Sequence, residues 1–137
     1  MTALSLRCVK AAFLFLAIGI ALGASFAIDR AIGAQLRPLH AELNLWGWVT
    51  LLIYGFAYHM LPRFTGRPLR SQRLADAQSW LAIGGVALAA LGWLGLALQI
   101  PYARLVAVAG GLCQIAAMLI FVSLVRGLLI AERVEAR

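Results

Sequence analysis

The chain has two imidazoles, His40 and His59, and both lie in one stretch, RPLHAELNLWGWVTLLIYGFAYHMLPRFTGRPL, residues 37–69. The same stretch holds three of the four prolines, two of the four tryptophans and two of the three tyrosines. A histidine can ligate a metal or move a proton near neutral pH. Nineteen residues on a straight helix is about 28 Å, so no single metal centre in one chain takes both rings. Glu42 is two positions from His40 and points elsewhere on a helix, and Cys113 and Met118 are expected too deep to reach it. A closed site of several ligands is therefore not expected. A lone ionisable group in a membrane helix is costly and usually functional. His59, beside Pro62 and Arg63, is expected at an interface, reaching headgroups and water. For His40 the residues alone leave a helix-start role and a ligand role open.

The elements that must position these side chains are apolar. Of 137 residues, 64% are hydrophobic and 12% charged, too few polar groups to cover a soluble domain. Charge-free runs cover 11–28, 43–62, 77–103 and 105–125. Each is long enough for a hydrocarbon core of about 30 Å. The expected fold is an all-α membrane protein, a single four-helix transmembrane bundle with helices over 9–28, 40–61, 77–98 and 103–130. Pro38 is expected just before the second helix, Pro62 at its end, and 33–39 as a short connection. Gly66 and Pro68 mark a loop, and Pro101 breaks the chain after the third helix. A soluble enzyme is excluded.

Small residues suggest how the helices pack. Gly19 and Gly23 form a small-xxx-small pair, expected to admit a neighbour within the bundle. The third helix, with Gly84, Gly85, Gly92 and Gly95, is expected to pack on more than one face. Cys8 and Cys113 are too few for a disulfide framework and read as small apolar residues. The first segment, with Arg7 and Lys10 before it and Ser25-Phe26-Ala27 behind, has the form of a signal peptide. Because Met1 opens the chain, it is read as a retained helix.

The net charge of +7 does not point to nucleic acid, because the basic residues gather at helix ends. Arg7, Lys10, Arg63, Arg67, Arg70, Arg73, Arg126, Arg133 and Arg137 fall on one side, nine against three for Arg30, Arg37 and Arg104. The positive-inside rule then places both termini in the cytoplasm and His40 toward the outer face. The implied location is a bacterial-type inner membrane.

The segment HAELNLWGWVTLLIYGFAYHMLPRFTGRPLRSQRLADAQSWLAIGG resembles the second and third helices of the haem–copper oxidase catalytic subunit, nearest the cbb3-type oxidase and nitric-oxide reductase branches. The matching positions are His40, Gly47, Gly55, Tyr58, Pro62 and residues 75–80. The resemblance implies that His40 is an axial ligand of a haem b iron. Trp46 and Trp48 would then wall the porphyrin, and Arg37, with Arg30, would pair with its propionates. The family's catalytic subunit has about a dozen helices, and later ones supply its remaining ligands, so oxygen or NO reduction by this chain alone is not expected. The sixth ligand would come from a second chain, as in a homodimer or other homo-oligomer, or the position would stay open. The implied role is electron transfer or gas sensing, with a redox partner or respiratory complex beside it. The alternative is an accessory or assembly subunit of a respiratory oxidase without its own cofactor. A third possibility is a small transporter or quinone-binding protein using Glu42, Asn44 and the tryptophans.

Overall fold

The structure is a computed structural model that describes the backbone of residues 1–135 and side chains through Leu128. Glu132 and Arg133 as side chains, and Arg137 altogether, lie outside the described residues. Every regular element of the described chain is a helix, in the order α1 (Ala3–Ile28), α2 (Arg30–Ala41), a π-helical stretch (Glu42–Thr50), α3 (Leu51–Phe64), α4 (Gln72–Ala97) and α5 (Ala103–Glu135). Three of these, α1, α4 and α5, are long and apolar enough to cross a membrane. In such a solvent every backbone polar group needs an internal partner, which a helix supplies to itself.

The helix boundaries follow from capping side chains that the apolar pattern understated. Thr2 accepts from the Ser5 amide and starts α1 six residues ahead of the expected position. Ser71 does the same for Leu74 and starts α4 five residues early. The largest correction concerns the second helix. Asp29 accepts from the amides of Ala31 and Ile32, so helix begins at Arg30, and residues 33–39 are helical instead of a connection. Helix is then continuous from α2 through the π stretch into α3. Pro38 and Pro62 both lie inside helix and do not bound it. Each removes one i→i−4 donor. The carbonyls of Ala34 and Tyr58 lose that partner. The π stretch begins four residues after Pro38, where turns of i→i+5 type widen the helix. At the far ends the expectations agree more closely: α4 closes at Ala97, ahead of Pro101, and Gly66 turns the chain with φ +65°.

Two seams of different chemistry hold the bundle. Between α4 and α5 the contact is backbone on backbone. A Cβ at Gly92 would lie 2.3 Å from the Ala107 nitrogen, and one at Gly110 would lie 2.3 Å from the Ala89 nitrogen. Gly85 and Gly95 face Cys113–Gln114 and Ala103 on the same seam, whereas Gly84 faces open space. The glycines of α4 therefore serve one neighbour and not several. Apolar side chains fill the rest of the core, among them Leu4, Cys8, Leu51, Tyr54, Tyr58 and Val86. Cys8 is buried and Cys113 half-buried, and both are free thiols.

The second seam joins α1 and the α2–α3 run to the helical hairpin formed by α4 and α5 through polar ties. Tyr58 donates to the Gln78 amide oxygen at 3.0 Å inside the core. At the end where α1 begins, the Arg7 guanidinium reaches Asp76 at 2.7 Å and Ser79 Oγ at 2.6 Å, and lies 4.7 Å from the Trp80 ring. These ties place α1 and α4 starts side by side.

The glycine seam is directly testable. Gly92→Ala must push α5 away and is expected to cost about 1–3 kcal/mol, the range for overpacking. Gly84→Ala, with nothing near its Cβ, is expected to stay within about 0.5 kcal/mol. Unfolding in detergent, followed by circular dichroism, separates the two.

Candidate functional site

His40 sits in the last turn of α2, and its ring lies in a notch of α1. A Cβ at Gly23 would come within 2.7 Å of His40 Cε1, so glycine is what lets the ring lie flat on α1. One turn earlier, Gly19 makes the same room for Asn44, whose amide nitrogen would be 2.7 Å from a Cβ there. The small-xxx-small pair is thus a packing feature within the bundle, as its sequence suggested. It holds two polar side chains in place of a bare helix backbone. Phe26 closes the notch, edge-on to the imidazole with centroids 5.4 Å apart.

Hydrogen bonds identify the donor nitrogen of this ring. His40 Nδ1 lies 3.0 Å from the Gly19 carbonyl oxygen. A carbonyl only accepts, so Nδ1 carries the proton and donates. Asn44 Nδ2, 3.3 Å from Nδ1, then has no lone pair to meet there. It donates instead to the His40 carbonyl at 2.8 Å. In the neutral ring the remaining lone pair is on Nε2. An imidazole oriented by an Nδ1–H to backbone carbonyl bond, with Nε2 available, is the usual form of a metal-ligating histidine.

The other expected site residues are placed differently. Arg37 lies one turn before His40 and is exposed. Trp46 looks toward the hairpin, where it shares a cavity of about 10 Å³ with Thr50, Tyr54, Val86 and Gln114. Trp48 packs against the core with Nε1 buried and without a partner among the described residues. The structure therefore keeps Arg37 and His40 in adjacent turns and directs Trp46 to other neighbours. His59 lies at the opposite end of the run, where Arg63, one turn on, donates to its Nε2. Nineteen residues of continuous helix separate it from His40, so the two rings do not meet. No group of three His, Cys, Asp or Glu able to hold a metal occurs among the described residues.

Gln114 is a residue that sequence reasoning did not reach. Its side-chain amide donates to Glu42 across the bundle, with both side chains buried. Two polar residues inside apolar runs were the available signal, but their spacing of 72 positions gave no reason to pair them. Glu42 opens the π stretch, and the bond ties that stretch to α5.

A half-buried histidine seated in a glycine notch of a membrane-length helix, within an all-helical chain, gives a helical membrane protein. The chain matches the family described as cytochrome c and quinol oxidase polypeptide I over residues 4–133, and it belongs to that family. The match extends well beyond the segment that carried the sequence resemblance. No curated protein and no solved structure matches the chain.

The Glu42–Gln114 bond yields a double-mutant test. Gln114→Leu removes one of the two side-chain donors to the buried Glu42 carboxyl, Trp93 being the other, and is expected to cost about 1–3 kcal/mol. Removing both groups, in Glu42→Leu with Gln114→Leu, is expected to recover most of that loss. Denaturation of the four proteins in detergent gives the coupling.

Proposed function

We propose that this chain is a small haem-b membrane protein, with His40 Nε2 as an axial ligand and a role in electron transfer or gas sensing. The observation that carries the reading is the 3.0 Å contact of His40 Nδ1 with the Gly19 carbonyl, which holds the ring in the ligating tautomer. Family membership supports it, because haem is the usual cofactor of that family. Arg37, exposed in the turn before His40, is suited to pair with a propionate. The two tryptophans are assigned by their contacts to the core rather than to the porphyrin.

Bound haem supplies a one-electron iron couple whose potential depends on its axial ligands, and an open axial position binds small gases. The residues of this chain seat and orient the imidazole, exclude Nδ1 from ligation and supply a cation outside. The sixth ligand belongs to a second chain or is absent. A two-fold homodimer presents the same histidine twice, since an isologous interface pairs a residue with its symmetry mate. In this reading the run from Arg30 to Phe64 is the fourth membrane crossing, and both termini lie on the cytoplasmic side of a bacterial inner membrane. The lysine and arginine distribution supports that orientation.

The test is the visible spectrum of protein purified after haem-replete expression, with and without dithionite. A Soret band that sharpens on reduction is expected, lost in His40→Ala and kept in His59→Ala. Gly23→Ala crowds the ring without removing the ligand, and is expected to weaken haem retention about 10–100-fold, the range for disturbing a ligand's support. Absence of a Soret band in the unaltered protein would sink the reading. Co-purification with other membrane subunits, undisturbed by His40→Ala, would then mark an accessory subunit.

A further inference from the structure

At the end of the bundle opposite His40, a cleft of about 210 Å³ opens between α1, α3 and the start of α4. Its walls include Thr2, His59, Pro62, Arg63 and Gln72. We propose that this cleft binds the phosphate of an anionic phospholipid headgroup.

The chemistry of the walls favours an anion. Arg63 donates to His59 and has further N–H groups in its planar fork, a geometry suited to phosphate oxygens. Among the described residues no carboxylate lines the cleft. Asp76, near the start of α4, is committed to Arg7 at 2.7 Å. Backbone dipoles add to the side chains. Thr2 caps α1, and Gln72 is the first residue of α4. The amides of Leu74 and Ala75 are taken by Ser71, which leaves those of Gln72 and Arg73 without an intrahelical acceptor at the mouth of the cleft. Two helix starts thus point their positive ends at the region where Arg63 lies.

Position selects the source of the anion. The cleft lies at the ends of two membrane-length helices, α1 and α4, where the headgroups of a bilayer are found. A phosphodiester is the anion that a bilayer supplies at that depth. Arg67, Arg70 and Arg73 stand in the same connection and first turn. Their field repels the cationic end of a zwitterionic headgroup and leaves a net anionic one as the better fit. About 28 Å of helix separates this cleft from His40, so the proposal does not depend on haem.

The experiment compares binding of phosphatidylglycerol and phosphatidylcholine to the purified full chain by native mass spectrometry, with melting in the same lipids as a second readout. Selective retention of phosphatidylglycerol is expected, together with a higher melting temperature. Arg63→Gln is expected to weaken that binding about tenfold or more, as for loss of one charge-assisted hydrogen bond. Arg104→Gln, at the other end of the bundle, is expected to leave it unchanged. Equal loss in Arg63→Gln and Arg104→Gln would overturn the site in favour of general charge attraction. Millimolar inorganic phosphate that displaces the lipid completely would overturn the commitment to a headgroup. Should Arg63→Gln lose its helical circular dichroism, His59→Gln decides in the same assay: weakened retention supports the cleft, and undiminished retention overturns it.

Discussion

The bond between His40 Nδ1 and the Gly19 carbonyl depends on a missing atom. Only a glycine at position 23 allows the imidazole to approach α1 closely enough to reach that carbonyl. The carbonyl already belongs to the α1 ladder, and its second lone pair serves the histidine. In a membrane interior a ring nitrogen without such a partner would be expensive. Packing and hydrogen bonding are therefore one constraint: the close helix approach both seats the ring and commits Nδ1 to the carbonyl, leaving Nε2 for chemistry. Asn44, seated on Gly19 and bonded to the His40 carbonyl, braces the same turn.

The π stretch gives this arrangement its second half. It separates the face that carries His40, directed at α1, from the face that carries Trp46, directed at the hairpin. Glu42 stands at its beginning and reaches Gln114 on α5. One helical run thus makes polar contacts to both of its neighbours within three residues, His40 on one side and Glu42 on the other. A regular α-helix interrupted by Pro38 would lack the donor that proline removes. The widened turns are associated with such local departures and recur at functional sites.

Much of this was legible in the sequence. The apolar runs located the helices, because charge is excluded from a hydrocarbon core whatever the packing. Gly19 and Gly23 announced a close approach, and the spacing of His40 and His59 excluded a shared site. What failed were signals that depend on partners. Pro38 and Gly33 read as a connection, yet Asp29 starts the helix before them. The pairing of Glu42 with Gln114 required the rotational phase of two helices. That phase was hidden, since a π stretch breaks the 3.6-residue period on which such estimates rest. The expectation that α4 packs on more than one face held, since α1 and α3 also reach it, but its glycines did not say that their own close contacts all go to α5.

The meeting of Gly92 with Ala107, and of Gly110 with Ala89, has a consequence for how this chain tolerates change. These helices touch through their main chains, so no smaller residue exists to bring them nearer. Sequence variation at the two glycines has one direction open to it, outward. The notch at Gly23 is different in kind, because its occupant is a movable side chain. The α4–α5 seam is at its geometric floor, while the contact of α2 with α1 retains room to adjust, and the histidine lies on that adjustable contact.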